Sequence, residues 1–201
     1  MTPDARNITQ SSLWKQAWDQ ILTAAAGQTT AFATPVVGNC SDNDSRSRLR
    51  TVVLRKADGQ RHCLYCYTDR RSVKARQLQE QEVLTWLFWD SDTGLQFTGS
   101  GPTHWLTRQQ ANALFADLPK HSRKAYATLS PPSTHLQHAS SGLPLDWDER
   151  SLAETDYARQ NFGVLVTELD QAEILKLDRK GNLRLLASRN GAEWDLQWVV
   201  P

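Results

Sequence analysis

Apolar side chains recur at helical spacing close to the start of the chain. Leucine, isoleucine, alanine and tryptophan lie three and four residues apart over 11–26, and Gly27 follows them. This spacing predicts an amphipathic helix over 11–26 with Ser11 or Ser12 as its N-cap. Three later segments also have helical composition, and Thr107 precedes the second of them as a predicted N-cap. These segments are 72–82, 107–118 and 149–160.

Short apolar runs separated by turn residues predict strands over most of the remaining chain. Asp58-Gly59 is a strong hairpin signal, so 49–55 is expected to pair with 61–67 in antiparallel fashion. The polar stretch 38–48 is predicted to be a loop, and the Pro- and Ser-rich stretch 130–148 a second, long loop. The other predicted strands are 30–37, 83–89, 94–106, 162–169, 171–177, 183–187 and 193–200.

Strands therefore outnumber helices in both halves of the chain. This pattern predicts a mainly β, α+β protein in which an antiparallel barrel carries peripheral helices. The chain has 201 residues, which is long enough for one well-buried domain and too short for two large ones. We expect residues 1–201 to form a single domain.

Composition and charge exclude several classes of protein. The formal net charge is +1, so no global field would recruit nucleic acid or a membrane surface. Three cysteines are too few for a secreted disulfide framework and fit a reducing compartment. The first ten residues do not resemble a signal peptide, and no apolar run approaches the roughly 20 residues that span a bilayer. We expect a cytoplasmic protein without nucleic-acid or membrane partners.

Common catalytic and metal-binding motifs are missing from the sequence. Cys63 and Cys66 lie three apart on a predicted strand, where their side chains point to opposite faces, so a metal or redox pair is disfavoured. His135 and His138 lie in the predicted long loop and are better explained as exposed side chains. No nucleophile elbow, zincin, P-loop or dinucleotide-binding motif is present. We expect no metal site, and no residue can be nominated as catalytic.

Positive charge is concentrated around one predicted strand and the helix after it. The strand "RLRTVVLR" (48–55) has an arginine at each end, and "YTDRRSVKARQLQ" follows it twelve residues later. A phosphate group is best held by converging Arg and Lys side chains, hydroxyls and backbone N–H groups at a helix start. Arg50, Ser72 and Lys74 could supply such a site, although a solvated basic loop also explains the charge. Arg50 and Arg55 lie on opposite faces of a regular strand and should serve different partners.

Several of these motifs occur in the order found in one known family. The segments "RTVVLR", "YTDRRSVKA", "LFWD", "LQFTGSG" and "FGVLVTELDQAEILKL" resemble those of the pyridoxamine 5′-phosphate oxidase-like FMN-binding split barrels. The resemblance covers 48–110 and extends more loosely to the end of the chain. It implies a six-stranded antiparallel split β-barrel, an FMN cofactor, and a homodimer with FMN at the interface.

The resemblance also implies which residues bind FMN. Arg50, Ser72 and Lys74 match the family's phosphate ligands, the segment 52–54 would line the flavin ring, and Gln96 would hydrogen-bond the cofactor. The complete set is Arg50, Thr51, Val52, Val53, Leu54, Arg55, Tyr67, Thr68, Ser72, Lys74 and Gln96.

Two positions of the cofactor motifs differ from the family pattern. The lysine that ends the family's strand motif is Arg55 here, and the arginine between the serine and the lysine is Val73. Arg71 or Arg76 could replace that missing arginine. The cofactor-binding residues are therefore kept in outline.

The chain departs further from the family where the oxidases bind their substrate. By alignment, the tyrosine, arginine and serine that hold the phosphate of the vitamin B6 substrate fall on Leu114, Leu118 and Ser122. Arg184 is kept from a C-terminal signature whose histidine and second arginine are lost. A buried leucine cannot hold a phosphate dianion. The resemblance therefore implies a substrate other than pyridoxamine phosphate.

Two functions of different classes follow from this resemblance. The first is an FMN-dependent oxidoreductase with an unidentified small-molecule substrate, in which the flavin carries the hydride. The second is a non-catalytic flavin-binding or sensor protein. A remoter alternative is a relative that has exchanged FMN for haem or a deazaflavin. Reduction of the bound flavin by a nicotinamide donor, followed by turnover, would distinguish the first function from the second.

Overall fold

Ten β-strands form the framework of the protein within residues 8–41, 44–78 and 82–201, which the computed structural model describes. All pairings between these strands are antiparallel. The strands are β1 (Val36–Ser41), β2 (Asp44–Thr51), β3 (Leu54–Asp58), β4 (Cys63–Asp69), β5 (Val83–Asp90), β6 (Leu95–Trp105), β7 (Phe162–Glu168), β8 (Gln171–Lys176), β9 (Leu183–Asn190) and β10 (Glu193–Val199).

The long strand β6 joins two parts of the sheet. Residues 95–100 pair with β8 in the order β10-β9-β8-β6-β5-β1-β2, whereas residues 103–105 pair with β7, which continues to β4 and β3. Gly101 lies at this change of partner, where a Cβ atom would come within 2.0 Å of the carbonyl oxygen of Glu168. Glycine permits this close approach of the two backbones. The sheet curls here into the mainly antiparallel split β-barrel that was predicted.

A buried hydrogen-bond chain closes the junction between the two parts. The hydroxyl of Thr167 on β7 accepts from Trp86 Nε1 on β5 at 2.9 Å and lies 2.9 Å from the hydroxyl of Thr103 on β6. Each polar atom finds a partner, so burial of the three side chains costs little. Three strands are thereby fixed against one another at the bend.

The part of the barrel that the structure describes has ten strands rather than the six that the resemblance implied, and two segments differ from their predicted structure. The stretch 38–48, predicted to be a loop, contains the end of β1 and most of β2, which pair with each other. The other partner side of β2 is open within the described residues, and polar residues suit such an edge strand. The strand predicted at 30–37 begins only at Val36, because Ala31–Ala33 form a 3-10 helix.

The strand predicted at 48–55 is interrupted after Thr51. Its first part belongs to β2 and pairs with β1, and its second part begins β3 and pairs with β4. The predicted pairing of 49–55 with 61–67 therefore holds only from Leu54 onward. Four residues, rather than the Asp58-Gly59 pair alone, connect β3 to β4. Local alternation of apolar residues cannot reveal where a strand changes its partner.

The helices lie outside the barrel, as predicted. Thr9, rather than Ser11 or Ser12, is the N-cap of the first helix, because its hydroxyl accepts from the backbone N–H of Ser12. Residues 79–81 of the helix predicted at 72–82 lie outside the described residues, and the segment 130–148 contains no helix or strand. The α-helices are α1 (Gln10–Ala25), α2 (Val73–Gln77), α3 (Arg108–Ala116) and α4 (Lys120–Arg123), and further 3-10 helices are Lys124–Tyr126 and Ala153–Gln160.

Two apolar clusters hold these elements together. The larger lies inside the barrel beneath α1 and contains Trp86, Phe88 and Phe97. The smaller lies under α3 and includes Phe115 and Phe162. Side chains along β5 and β6 alternate between buried and accessible positions, as expected for strands with one face on a core. The crevice described next lies at the end of β4, where the chain leaves the barrel for α2.

Candidate functional site: a cationic crevice between β2 and α2

A crevice of about 440 Å³ opens between β2, the end of β4 and α2. Three cationic residues, Arg48, Arg50 and Lys74, contribute to its wall, and Pro132 and Ser133 of the long loop face them. The described residues that line it are Arg48, Leu49, Arg50, Thr68, Asp69, Ser72, Val73, Lys74, Ala125, Pro132 and Ser133. The basic strand and the basic helix start that the sequence singled out are therefore brought together.

Lys74 is a buried cation without a counter-ion. Its residue is 6 % exposed, and within residues 8–41, 44–78 and 82–201 its ammonium has no hydrogen bond or ion pair. Burial lowers the pKa of Lys74 below its ordinary value of 10.5, and the neighbouring Arg50 lowers it further. An unpaired buried ammonium is costly for a protein to maintain. Its charge is available to an anionic ligand.

Arg50 is oriented by two neutral amides rather than by an acid. Its Nη1 donates to Asn39 Oδ1 at 2.9 Å, and its Nη2 donates to Gln77 Oε1 at 3.4 Å. Asn39 and Gln77 are both buried. Burial lowers the pKa of Arg50, with a further contribution from Arg48. The two amides fix the guanidinium in place and leave its charge uncompensated.

Ser72 adds a hydroxyl to the same wall. It is the N-cap of α2, and its Oγ accepts from the backbone N–H of Ala75 at 3.2 Å. A hydroxyl that accepts in this way still has its own hydrogen to donate. The serine thus serves the local turn and can also donate to a ligand in the crevice.

The acid at the end of β4 is already neutralised. Asp69 has a side chain only 4 % exposed, and its Oδ2 lies 2.7 Å from Arg71 Nη2. The same guanidinium donates to the carbonyl and the hydroxyl of Thr128, each at 3.1 Å. Arg76 donates to the carbonyl of Arg71. Neither Arg71 nor Arg76 lines the crevice.

The predicted flavin-lining segment 52–54 contains the interruption between β2 and β3 and the first residue of β3. The backbone N–H of Val52 donates to the carbonyl of Pro35 at 2.9 Å. Val53 is exposed, whereas the side chain of Leu54 lies in the barrel core, so only its backbone can face a ligand. The exposed Arg55 lies with its Cζ 5.1 Å from the centre of the Tyr67 ring. Arg50 and Arg55 therefore serve different partners, although the cause is the interruption and not the parity of one continuous strand.

The other predicted ligands are spread over a wider area. Thr68 is buried on the crevice wall, and Tyr67, one residue before it on β4, packs its ring against Phe162 at 5.0 Å between centroids. Gln96 lies on β6 opposite Trp89 and does not line the crevice. Among the predicted residues, the crevice therefore gathers Arg50, Thr68, Ser72 and Lys74.

The positions where the oxidases bind their substrate phosphate serve packing in this chain. Leu114 and Leu118 pack against the smaller apolar cluster. Arg184 forms an ion pair with Glu173, with Nη2 and Oε2 2.8 Å apart. None of these residues lines the cationic crevice.

Sequence reasoning missed three residues of this site. Arg48 lines the crevice, and its position two residues before Arg50 on one strand was a signal for a shared face. Asn39 and Gln77 gave no such signal, because they belong to a segment predicted to be a loop and to the buried side of a short helix. Their contacts with Arg50 depend on tertiary structure.

The described residues contain little other chemistry. Cys63 and Cys66 are both free thiols and both buried, and no three His, Cys, Asp or Glu side chains converge within residues 8–41, 44–78 and 82–201. In the same part of the chain, no helix has the length and apolar character needed to cross a bilayer. The cationic crevice is therefore the candidate ligand-binding site.

The crevice suits a phosphate group by charge and by donor type. Lys74 and Arg50 offer two charges that no acid pairs with in the part of the chain that the structure describes, and Ser72 offers a hydroxyl. Charge-assisted hydrogen bonds from such groups are among the stronger polar contacts in proteins. A neutral ligand would leave the buried ammonium uncompensated, whereas a dianion would offset its burial.

Comparisons with known proteins agree with this chemistry. Residues 12–107 match the family model described as pyridoxamine 5′-phosphate oxidase, FMN-binding domain. A pyridoxamine 5′-phosphate oxidase-related FMN-binding protein from Nostoc punctiforme is similar in structure, with a TM-score of 0.72, 22 % identity, and coverage of 94 % of this chain and 97 % of that one. No curated protein sequence matches the chain significantly.

A second solved structure shares the fold at lower identity. PhzG from Burkholderia lata, crystallised with tetrahydrophenazine-1-carboxylic acid, has a TM-score of 0.71 and 15 % identity, with coverage of 100 % of this chain and 98 % of that one. Both likenesses extend over nearly the whole of each chain and so establish the fold beyond the region that the family model matches. Residues 12–107 of the chain are thus similar to the FMN-binding domain of pyridoxamine 5′-phosphate oxidases.

Proposed function

We propose that this protein is an FMN-dependent oxidoreductase that holds the FMN phosphate in the cationic crevice and acts on a substrate other than pyridoxamine phosphate. One observation carries the proposal: Lys74 is buried beside Arg50 and has no counter-ion among the residues that the structure describes. For a chain whose residues 12–107 resemble an FMN-binding domain, the FMN phosphate is the dianion that this arrangement suits. We take residues 1–201 as one functional unit, because the β6 strand is shared by both parts of the barrel.

Each crevice residue has a definite task in this proposal. Lys74 and Arg50 neutralise the phosphate, Ser72 donates its hydroxyl to it, and Thr68 shapes the wall between them. The backbone of 51–54 and the ring of Tyr67 remain the proposed flanks of the flavin, with Arg55 beside Tyr67. Gln96 remains a proposed contact from outside the crevice. When FMN is bound, the flavin supplies the hydride chemistry and the chain orients it.

The proposed substrate lacks a phosphate that this subunit could hold in the manner of the oxidases. Leu114 and Leu118 are partly buried and apolar, and Arg184 is already paired with Glu173. Binding of a dianion here would disrupt the packing of the two leucines or the ion pair of Arg184. The small-molecule substrate therefore belongs to a different chemical class from pyridoxamine phosphate.

We further propose a cytoplasmic homodimer with FMN near its interface. Leu49, which lines the crevice, is 70 % exposed and also lines an apolar groove with Val36, Val83 and Leu87. Exposed apolar grooves of this kind favour association with another surface. Light scattering should give twice the mass of one chain, and Val83→Glu should convert the protein to a monomer. A monomeric wild-type protein would contradict the dimer.

Comparison of FMN with riboflavin tests the phosphate site directly. The two differ only by the phosphate, so the ratio of their affinities, measured by quenching of flavin fluorescence, reports contacts to that group. Lys74→Met should weaken FMN on the order of tenfold to a hundredfold, the range for loss of a charge-assisted hydrogen bond, and leave riboflavin almost unchanged. The control Lys15→Met removes an exposed lysine on α1 and should change neither affinity. Equal wild-type affinity for FMN and riboflavin would contradict the proposal.

Turnover distinguishes an enzyme from a flavin-binding protein. The purified protein loaded with FMN should be bleached anaerobically by a nicotinamide donor and should recover its colour repeatedly when an acceptor is added. A protein that binds FMN tightly but is reduced by neither nicotinamide donor would favour the non-catalytic alternative.

A further inference from the structure

We propose that Arg71 is a positioning residue that masks the charge of Asp69 and thereby reserves Lys74 for the phosphate of a bound ligand. This inference rests on the proposed function, because it assigns to Arg71 a part in the selectivity of the same crevice. It concerns a residue that does not itself line the crevice.

Among the described residues that line the crevice, Asp69 is the one acid. It follows Thr68 at the end of β4 and lies on the same wall as Ser72 and Lys74. A free carboxylate in this position would repel a phosphate, and it would also attract the unpaired ammonium of Lys74. Either effect would oppose the binding of a dianion.

Arg71 occupies both oxygens of that carboxylate. Its Nη2 lies 2.7 Å from Oδ2, its Nε lies 3.1 Å from Oδ1, and its backbone N–H donates to Oδ1 at 2.7 Å. The Asp69 side chain is buried, so the ion pair is only weakly screened by solvent. With both oxygens engaged in this way, Asp69 is neutralised within its own turn, and Lys74 stays unpaired.

The same guanidinium also contacts the start of the loop that later lines the crevice. It donates to the carbonyl and the hydroxyl of Thr128, and that hydroxyl donates in turn to the carbonyl of Ser130. Pro132 and Ser133, a few residues further along the loop, line the crevice. Loss of Arg71 could therefore act through the charge of Asp69 or through the loop, and the experiment must separate the two.

A double-mutant cycle separates them. Arg71→Met, Asp69→Asn and the double variant are each titrated with FMN and with riboflavin, with flavin fluorescence as the readout. Arg71→Met should weaken FMN on the order of tenfold to a hundredfold, while riboflavin changes by less than about threefold. Asp69→Asn in the Arg71→Met background should restore FMN affinity to within about threefold of wild type, because no charge is left to mask.

Control variants distinguish failure of this inference from failure of the proposed function. Arg61→Met breaks an exposed pair with Glu168 and should not change the ratio of the two affinities. If Arg71→Met is unstable, Asp69→Asn alone still tests the idea, since it should bind FMN at least as tightly as wild type. Weakening of both flavins by Arg71→Met without rescue, or loss of FMN binding in Asp69→Asn, would overturn the inference. A wild-type protein without preference for FMN would instead overturn the proposed function.

Discussion

Two buried cations of this protein, Arg123 and Lys74, differ in the number of partners that surround them. The Arg123 residue, on α4, is 2 % exposed, and its guanidinium makes hydrogen bonds to four backbone carbonyls, to Thr155 Oγ1 and to Asp156. Lys74, on α2, is almost as deeply buried and has no partner within the described residues. The first cation holds α3, α4 and the 3-10 helix at Ala153–Gln160 together. The second is held in place by the fold and is free to bind.

The difference shows that burial alone does not distinguish a structural charged residue from a ligand-binding one. A buried charge with all its donors satisfied is part of the architecture, because removing it leaves its partners unpaired. A buried charge without partners destabilises the folded protein, and binding of a ligand of opposite charge can offset this cost. The same property, low exposure, therefore marks a structural residue in one region and a binding residue in the other. Three substitutions should sharpen this contrast.

The largest effect is expected in the satisfied region. Arg123→Met should lower the free energy of unfolding by about 3–5 kcal/mol, because Asp156 and several buried carbonyls lose their donor. The ratio of FMN to riboflavin affinity should not change in the folded fraction. Urea unfolding measures the loss, and Arg159→Met, which removes the exposed partner of the same Asp156, should cost less than about 1 kcal/mol. Equal losses in the two variants would contradict the assigned role of Arg123.

A smaller effect is expected where a neutral amide is changed to an acid. Asn39→Asp places a carboxylate against Arg50 Nη1, now 2.9 Å from the amide oxygen. The new ion pair should weaken FMN by about tenfold, equivalent to about 1.4 kcal/mol, without weakening riboflavin. The apo protein should at the same time become more stable to heat. Asn112→Asp on α3 makes the same change of charge elsewhere, and an equal loss of FMN affinity there would contradict the local explanation.

The smallest effect concerns the stability of the apo protein as a function of pH. Because burial lowers the pKa of Lys74 in the folded state, the folded protein binds fewer protons than the unfolded one between that lowered pKa and 10.5. Stability should therefore rise with pH through this window, relative to a variant without the group. Lys74→Met should stabilise the apo protein by about 1 kcal/mol at pH 7 and lose this advantage as the pH approaches 10.5. A constant difference across the window would contradict an unpaired, desolvated ammonium.

Much of the site and the fold was accessible from the sequence. The apolar spacing of α1 and the alternation along β5 and β6 are local patterns, and a local pattern survives whatever the element packs against. Arg50, Ser72 and Lys74 were identified because they form a motif at fixed spacing within a short segment. Their convergence required β2 and the start of α2 to meet, with β3 and β4 between them in the chain.

The tertiary structure decided what the local pattern does not encode. The strand at 48–55 breaks after Thr51 because its two parts find different partners, and no periodicity records a change of partner. Asn39 and Gln77 reach Arg50 from elements remote in sequence. The pairing of Asp69 with Arg71 depends on side-chain directions at the end of β4. The sequence thus determined which charges this protein carries, and the packing of distant elements determined which of them stay available to a ligand.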